Sequence, residues 1–503
     1  MPRSAGRISS QAAALGALAF LALGLALILR HEMWQDEWQA WLIARESASL
    51  ADLFNHRKYE GHPGLWYLAL FLLSRLTADP LAMQLFHLLL ATATAYLFLR
   101  FSPFTPWQQI LFIFGYFPLF EYGVISRNYA AGVLLIFSFC AVFPGAFRGK
   151  FLVLAGLLFL LAQTSVYGLF LAAALGLMLA VAGITRQGPM AVNKYQMFPP
   201  LAMAGLGILI AAAQLAPPAD SGFAVDWRFH LDFPELARTM GAVWDSYVPL
   251  PALKYHFWNT NIIPHGYIKG FLSLILLAFP VLWFRRQPAI LCLFGVGTLE
   301  ILAFSYVKYP GSLRHYGHLF ILLIASLWLS AYFPDKEIRN PRMAGLTARV
   351  RRNKDRFLYG LLAAHLAASA WAVGLDWRHP FSGGPEVASY LKNQSLDRMI
   401  LLGYEDDAAL VVAGHLGRKI FYPGSGRWGT FLILDKRRKR LDDEEILAQA
   451  RELAARNGRE VLLIMNREIP APPPRVVQVR QFTDSIVPEE KFYLYLVKYG
   501  KAD

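Results

Sequence analysis

The sequence predicts a polytopic α-helical membrane protein that ends in a small α/β domain. Of its 503 residues, 56% are hydrophobic and 17% are charged, and the mean hydropathy is +0.36. An average soluble domain has about 45–50% apolar and about 25% charged residues. Long apolar runs recur up to Leu375, whereas the remainder to Asp503 is charged and has no such run. We therefore expect a transmembrane domain over residues 1–375 and a soluble domain over 376–503.

About eleven apolar runs have the length and hydropathy of membrane spans. The run Gly64–Leu76 is an exception, because its roughly 13 residues are too few to cross a bilayer. We expect it to lie in, or dip into, the outer leaflet. The predicted spans are 12–29, 80–100, 105–122, 128–145, 150–166, 167–185, 197–215, 266–284, 288–305, 314–333 and 355–375.

Basic residues predict the orientation of these spans. Arg3 and Arg7 precede the first span, and every second connection after it is basic, up to the segment 336–356 with its eight Lys and Arg residues. By the positive-inside rule the N-terminus is cytoplasmic and the soluble domain extracytoplasmic, and we expect the inner membrane of a bacterium. This pattern accounts for much of the net charge of +14 without nucleic-acid binding. Two cysteines, both in apolar runs, favour neither a disulfide framework nor a cysteine metal site.

The predicted outer segments carry acids, bases and aromatic residues, whereas the opposite face is simply basic. A membrane enzyme whose substrates meet at the outer leaflet needs this asymmetry, and a scaffold does not. The first outer loop, 30–79, and the long loop 216–265 are the largest of these segments. The candidate site residues in the outer segments are Asp36, Glu37, Glu60, His62, Glu121, Arg127, Asn128, Tyr129, Tyr167, Arg314 and His315.

Each candidate also has a plain structural interpretation. The stretch His31–Ser47, with its three tryptophans, is also typical of an amphipathic helix at the headgroup level. Arg127 has the position of an arginine that snorkels to the interface, and Glu121 could simply pair with it. Arg314 could serve topology or packing. For Tyr167 and His315, packing is favoured over a functional role.

The order of the outer motifs resembles that of the GT-C glycosyltransferases, and within them the lipid A aminoarabinose transferases and the protein O-mannosyltransferases. The chain shows Asp36-Glu37 after the first span, then Glu60-Gly61-His62-Pro63, then Arg100 at the end of a span, then Ser126-Arg127-Asn128. The resemblance covers about the first 215 residues. It implies a GT-C fold and transfer of a sugar from a polyprenyl-phosphate donor to a glycan, lipid or protein acceptor.

Two positions depart from the resembled pattern. His62 stands where the aminoarabinose transferases have a lysine, so a permanent charge for phosphate is missing. Asn128 follows Arg127 where those enzymes continue with Thr-Asp, so a second catalytic acid and a shared mode of metal binding are in doubt. The sequence leaves the use of a divalent metal open.

The residue types fit sugar transfer from a phosphate leaving group. Arg127 and Arg314 are candidates for the donor phosphate, because guanidinium matches phosphate oxygens in a bidentate way. His62 could bind phosphate when protonated or a metal when neutral. Asp36 is the candidate general base that removes the proton of the acceptor. Glu37 is the second catalytic candidate. Because neighbours on a helix point about 100° apart, it is not expected to touch the same atom as Asp36, and it could orient a loop or cap the helix instead.

The segment 376–503 predicts a small α/β domain. Strands are expected at 399–404, 430–435, 461–465, 475–482 and 491–499, and helices at 406–417 and 443–457. The Gly-rich Tyr422–Gly429 does not lead from a strand into a helix, which favours a turn over a phosphate loop. The stretch 434–445 is expected to be a solvated charged face.

Two other classes of function remain open at this point. A transporter or lipid flippase would also be polytopic, but inverted repeats with broken midplane helices would be expected, and none is visible. A non-catalytic membrane scaffold leaves Asp36, Arg127 and Arg314 unexplained. Replacing Asp36 by Asn separates the three: a transferase is inactivated, a transporter changes only if it couples to a proton or cation, and a scaffold is unaffected.

Overall fold

The computed structural model describes residues 8–144, 151–185, 198–222 and 227–499. Its larger part is a bundle of helices. In chain order they are α1 (Ser10–Ile28), α2 (Gln35–Glu46), α3 (Leu50–Arg57), α4 (Leu65–Ser74), α5 (Leu81–Phe101), α6 (Pro106–Ile113), a π-helix (Tyr116–Val124), α7 (Tyr129–Val142), α8 (Phe151–Ala162), α9 (Val166–Ile184), α10 (Phe198–Leu215), α11 (Phe233–Tyr247), α12 (Gly266–Phe284), α13 (Pro288–Val307), α14 (Leu313–Ser330), α15 (Pro341–Arg352) and α16 (Lys354–Arg378).

Within the described residues, seven helices are long and apolar enough to cross a membrane: α1, α5, α9, α10, α12, α13 and α16. The apolar helices α7 and α8 are shorter, and α14 begins with three basic or titratable residues, Arg314, His315 and His318. Helix α4 has only 10 residues, which corresponds to about 15 Å of rise, half of a hydrocarbon core. The helical membrane fold with a small C-terminal sheet domain is thereby confirmed.

One predicted span is wrong as a continuous helix. The stretch 105–122 is divided into α6 and the π-helix, with the break at Gly115, whose backbone is extended (φ −71°, ψ 167°). A side chain at Gly115 would come within 3.1 Å of the Cβ atom of His365 on α16. Close approach of α16 therefore explains the glycine.

The long segment 216–265 is more structured than a loop. It contains α11, which Asp232 caps at its N-terminus by accepting a hydrogen bond from the Glu235 N–H, 2.8 Å away. Helix α11 packs against α12 and α14, and its buried face includes Ala242, Val243 and Tyr247. Its apolar stripe has the helical period, and this could have been read from the sequence.

The small domain carries a six-stranded mixed sheet in the order β3-β2-β1-β4-β6-β5. Parallel β1 and β4 form its centre, with Ile400 opposite Val461 and Tyr404 opposite Met465. The domain's elements are α17 (Gly384–Asn393), β1 (Ile400–Tyr404), α18 (Asp406–Leu416), β2 (Ile420–Tyr422), β3 (Arg427–Gly429), α19 (Asp443–Asn457), β4 (Val461–Met465), β5 (Val476–Phe482) and β6 (Phe492–Val497).

Most expected elements of this domain are present. The turn expected at Tyr422–Gly429 is shorter than predicted, because Arg427–Gly429 form β3 and pair with β2. The strand expected at 430–435 is wrong. Its backbone groups bond outside the sheet: Leu432 exchanges two hydrogen bonds with the side chain of Gln39, and Leu434 accepts one from Gly222. The charged stretch after it is also not entirely solvated, because Arg438 is partly buried among carboxylates.

The small domain and the first polar segment of the membrane domain share one hydrophobic core. Trp38, Trp41 and Leu42 of α2 pack in the same cluster as Val411 and Leu462 of the small domain. Because α2 also carries Asp36 and Glu37, the small domain forms part of the support for the candidate site. We refer to this end of the bundle as the site end.

Candidate active site

Two arginines converge on one carboxylate at the site end. Asp36 lies in the first turn of α2, and its Oδ2 atom is 3.0 Å from Nη1 of Arg127 and 3.4 Å from Nη2 of Arg314. The three side chains come from positions separated by up to 278 residues in sequence. The side chains of Arg127 and Arg314 are only 11% and 14% exposed, and that of Asp36 is 29% exposed. The sequence placed both Asp36 and Arg127 in outer segments, and the structure brings them into contact.

Both guanidiniums retain unused hydrogen-bonding capacity. The Nε atoms of Arg127 and Arg314 are buried and have no hydrogen-bond partner. Among the described residues, Asp36 is the one acidic residue that lies within salt-bridge distance of Arg127 or of Arg314. The pKa of Arg127 is raised, because attraction to Asp36 outweighs the effect of burial. Two cations therefore face one anion, and the site is suited to accept a further negative charge.

Aromatic rings hold Arg314 in place. Its guanidinium carbon lies 5.0 Å from the ring centroid of Trp34 and 5.7 Å from that of Trp258. The two rings themselves meet edge to face with centroids 4.6 Å apart. Trp258 belongs to the long segment 216–265, so that segment contributes directly to the site. Such contacts restrict an arginine without neutralising its charge.

Glu37 is held entirely by groups of the protein. Its carboxylate accepts hydrogen bonds from the backbone N–H of Ser126, 2.6 Å away, and from that of Trp34, 3.2 Å away. It also lies 3.1 Å from Nε2 of His31, whose other ring nitrogen is 3.1 Å from Asp376. A fully buried carboxylate with these partners orients its neighbours, which matches the second role considered for Glu37.

His31 is the cation of this buried group. Burial alone would lower its pKa, but Asp376 and Glu37 outweigh it and raise the pKa well above the usual value. The ring is therefore protonated and donates from both nitrogens, which links the end of α1 to α2 and α16. His31 and Asp376 are not among the candidate residues predicted from the sequence, in which only the position of His31 directly after the first span was a signal.

Glu60 and His62 lie on the other side of Arg127. Glu60 accepts a hydrogen bond from Gln39 over 2.8 Å, and burial raises its pKa to about 7. Burial, together with Arg127, lowers the pKa of His62 to about 3, so its ring is neutral at pH 7. Nε2 of His62 is 3.4 Å from Arg127, and its Nδ1 has no partner. His62 thus adds no positive charge for a phosphate, and its geometry suits orienting Arg127.

Glu121 and Asn128 have structural partners in this arrangement. Glu121 accepts hydrogen bonds from the hydroxyl of Tyr116 at 2.9 Å and from the indole of Trp258 at 3.1 Å. It is not paired with Arg127, contrary to the plain interpretation, because Arg127 points to Asp36. The amide of Asn128 donates to the backbone carbonyl of Thr164, 2.7 Å away, which anchors the turn beside Arg127.

Tyr129, Tyr167 and His315 form an aromatic wall below the arginines. His315 stacks on Tyr167 with centroids 5.3 Å apart and meets Tyr129 edge to face at 5.8 Å. Nδ1 of His315 accepts a hydrogen bond from the backbone of Ser312 and so caps α14. The hydroxyls of both tyrosines are buried, and that of Tyr129 interacts with Arg127.

The described part of the chain contains no group of three or more His, Cys, Asp and Glu residues that could hold a metal ion. The acids near the site are engaged by arginines, by histidine or by neutral donors. Arg127 and Arg314 are the cations that contact Asp36.

No protein-family model and no curated protein matches the chain. The solved structures that the chain resembles include two crystal structures of ArnT from Cupriavidus metallidurans. The apo structure has a TM-score of 0.47, and the one bound to undecaprenyl phosphate has a TM-score of 0.49. Each alignment covers 96% of this chain and 99% of ArnT at 13% identity. ArnT is a lipid A aminoarabinose transferase.

Proposed function

We propose that the chain is a membrane glycosyltransferase that moves a sugar from a polyprenyl-phosphate carrier to an acceptor at the site end. The observation that carries the proposal is the convergence of Arg127 and Arg314 on Asp36, with two buried guanidinium nitrogens left unpartnered. A phosphate that bears a sugar is an anion whose charge grows as the sugar leaves, and two fixed guanidiniums stabilise that charge.

The isoprenoid part of such a donor needs an apolar environment next to this charge. The arginines lie at helix ends of a bundle whose outward faces are apolar, with exposed residues such as Leu209, Phe271 and Leu299. A lipid tail can remain among membrane lipids while its phosphate reaches the arginines. A soluble nucleotide-sugar donor would not require this placement.

Asp36 takes two successive roles in the proposed reaction. Without donor its single negative charge is shared between both arginines. The donor phosphate competes for the same guanidiniums and releases the carboxylate, which can then accept a proton. An acceptor hydroxyl or amine attacks the anomeric carbon, the bond from that carbon to the phosphate oxygen breaks, and the electron pair leaves with polyprenyl phosphate. The proton of the acceptor passes to Asp36.

We also propose an orientation of the chain in the membrane. The site end, with the small domain, faces the extracytoplasmic side, and the basic connections such as Arg285-Arg286 face the cytoplasm. We place the chain in the inner membrane of a bacterium. A transporter or scaffold gives no comparable role to the paired arginines.

Purified protein in lipid vesicles tests the function directly. The probes are polyprenyl-phosphate sugars with different labelled sugars, supplied with an envelope extract as the source of acceptor. We expect release of polyprenyl phosphate and appearance of the label in one acceptor fraction, and neither with the Asp36→Asn protein. Consumption of no donor, or equal consumption by the Asp36→Asn protein, would contradict the proposal.

A further inference from the structure

A second cavity lies in the small domain, at the carboxyl end of its central strand. Its volume is about 270 Å³, and its walls include Tyr404, Glu405 and Asp407 together with Arg438 and Arg440. Tyr404 is the last residue of β1, and Glu405 and Asp407 begin α18. The cavity is separate from the candidate active site, and none of its residues takes part in the proposed reaction.

The strand order of the sheet indicates that this cavity is a place where a ligand could bind. From β1 the chain passes through α18 to β2 on one side, and α19 leads to β4 on the other side of β1. The two helices pack on opposite faces, as their separate hydrophobic clusters show. The strand order therefore reverses between β1 and β4. In open α/β sheets, the crevice outside the carboxyl ends of strands at such a reversal is the usual place for a ligand.

The charges at this crevice disfavour a phosphate ligand. Helix N-termini at such a position often receive phosphate, but here carboxylates already occupy them. Asp406 and Asp407 stand in the first turn of α18, and Asp442 caps α19 before three further acids. In nucleotide-binding folds these positions are left free for the phosphate, so an anionic ligand would meet like charge.

The wall of the cavity contains equal numbers of acidic residues, which accept hydrogen bonds, and basic residues, which donate them. Three carboxylates, those of Glu405, Asp407 and Asp435, and three cations, those of Arg438, Lys439 and Arg440, line it, so the side chains of the wall have no net charge. Arg438 lies 3.4 Å from both Asp406 and Asp407. Behind it, Oδ1 of Asp406 is buried without a partner. Carboxylates accept and guanidiniums donate hydrogen bonds in fixed directions, which suits a ligand with many hydroxyl groups and no net negative charge.

One wall of the cavity comes from the membrane domain. Gly222 contributes to the lining, and its N–H donates to Leu434 over 2.8 Å. Close by, Asp220 accepts a hydrogen bond from the N–H of Lys436 at 2.8 Å and another from the hydroxyl of Tyr59 at 2.9 Å. Tyr59 directly precedes Glu60 of the active site. A ligand in this cavity therefore contacts a segment that is bonded to the catalytic loop.

We infer that this cavity is a sugar-binding site that holds a neutral or amino-sugar part of the acceptor, away from the point of transfer. The acceptor role rests on the proposed glycosyl transfer, whereas binding of sugar does not. A glycan held here would be retained near the active site while its reacting hydroxyl reaches Asp36. The small domain would then contribute to the choice of acceptor.

The test uses the full-length protein in lipid nanodiscs and an array of neutral, amino and acidic oligosaccharides, with inorganic phosphate and ADP as anionic comparisons. Asp407→Trp fills the cavity. Glu460→Trp is its control, because Glu460 is exposed and lies at the opposite end of the sheet, before β4. Arg440→Gln removes one donor without added bulk. We expect neutral or amino sugars to bind the wild type and Glu460→Trp, and affinity to fall at least about tenfold in Asp407→Trp and less in Arg440→Gln.

A transfer assay distinguishes sugar binding at the cavity from the proposed role of that binding in holding the acceptor. With an active enzyme, Asp407→Trp should raise KM for the acceptor while kcat and hydrolysis of the donor remain unchanged. Sugar binding that Asp407→Trp leaves intact, or a preference of the wild type for phosphate or ADP, overturns the inference. A wild type that binds sugar at this cavity but consumes no polyprenyl-phosphate donor overturns the proposed function and the acceptor role, and the sugar site stands.

Discussion

The carboxylate of Glu37 accepts a hydrogen bond from the backbone N–H of Ser126, with the two atoms 2.6 Å apart. This bond joins the helix that carries Asp36 to the segment that carries Arg127. It therefore helps to fix the backbones that carry Asp36 and Arg127 relative to each other, without using either of these side chains.

Replacing Arg127 by lysine should weaken transfer, because lysine retains the charge but not the two-pronged geometry for phosphate. Arg127→Ala should lose more, about 2–4 kcal/mol of transition-state stabilisation, which is the scale for removing one strong electrostatic donor. Donor affinity and kcat/KM are measured for both proteins. The exposed Arg456, paired with Glu452, provides the control Arg456→Lys. Normal donor binding by Arg127→Ala would remove Arg127 from the phosphate site.

Replacing Asp36 by asparagine should abolish turnover and leave donor binding intact or tighter. The amide cannot accept the proton of the acceptor, and it no longer competes with phosphate for the two arginines. Donor binding is measured by calorimetry beside transfer. Glu46→Gln, an exposed change at the other end of α2, is the control. Near-normal turnover by Asp36→Asn would exclude it as the base.

We expect the folded state to depend strongly on the buried group of His31, Glu37 and Asp376. His31→Gln should lower the unfolding free energy by about 3–5 kcal/mol, because it leaves two buried carboxylates without their cation. The stabilisation from protonated His31 is complete below the ordinary pKa of 6.5 and is lost as the pH rises through its raised folded value. Thermal unfolding in detergent across alkaline pH measures this loss.

The exposed His230 supplies the control, His230→Gln, which should behave as the wild type. An effect of His31→Gln no larger than that of the control would show that the buried charges are stabilised in another way. At temperatures where the variant is folded, its kcat should fall more than its donor affinity, because the group positions Asp36 rather than contacting the donor.

Because the pKa of Glu60 is raised, we expect a second pH dependence of the protein's stability. Burial raises its pKa from 4.5 to about 7, so the folded state favours the protonated form. Its contribution to stability is complete below pH 4.5 and is lost as the pH rises through 7. Glu60→Gln mimics the protonated form, so its Tm should match the wild type at low pH and exceed it at pH 8. The exposed Glu386 gives the control Glu386→Gln. A Tm difference independent of pH would contradict the raised pKa.

The segment between α11 and α12 should become more ordered when donor binds. Trp258 from this segment covers Arg314 and donates to Glu121, so closing it over a phosphate would exclude water from the arginines. Hydrogen exchange at 248–265 should slow with saturating donor, and exchange in α15 should not change. Equal exchange with and without donor would count against a lid, and Trp258→Ala should weaken donor binding.

Much of the fold could be predicted because hydropathy and charge report it locally. Apolar length indicated the spans, and alternation indicated most strands of the small domain. The break at Gly115 could not be predicted, because it depends on contact with α16, about 250 residues later in the chain. The strand at 430–435 was wrong for a similar reason: its backbone bonds to Gln39 and Gly222, which lie in the other domain.

The residues of the candidate site could also be predicted only in part. The residue types and order of motifs indicated Asp36, Arg127 and Arg314, and their proximity followed from their positions at helix ends. The partners that define each role are distant in sequence, as the 345 residues between His31 and Asp376 illustrate. Trp258 was one aromatic residue among many in its segment. Whether these residues act as proposed stays a prediction that the variants above address.

The side-chain amide of Gln39 makes two hydrogen bonds with the backbone of Leu432: its Nε2 donates to the carbonyl and its Oε1 accepts from the N–H, each over 2.9 Å, much as a neighbouring strand would. A side chain of α2 thus completes the edge of the small domain. A chain cut after Arg378 would lose these bonds and uncover Trp38, which packs against His415, to water, so the amino-terminal fragment should aggregate on its own. Evolution would have difficulty exchanging the small domain for another, because any replacement would have to supply the same hydrogen-bonding edge and the same apolar surface. The two parts have to be inherited as a unit.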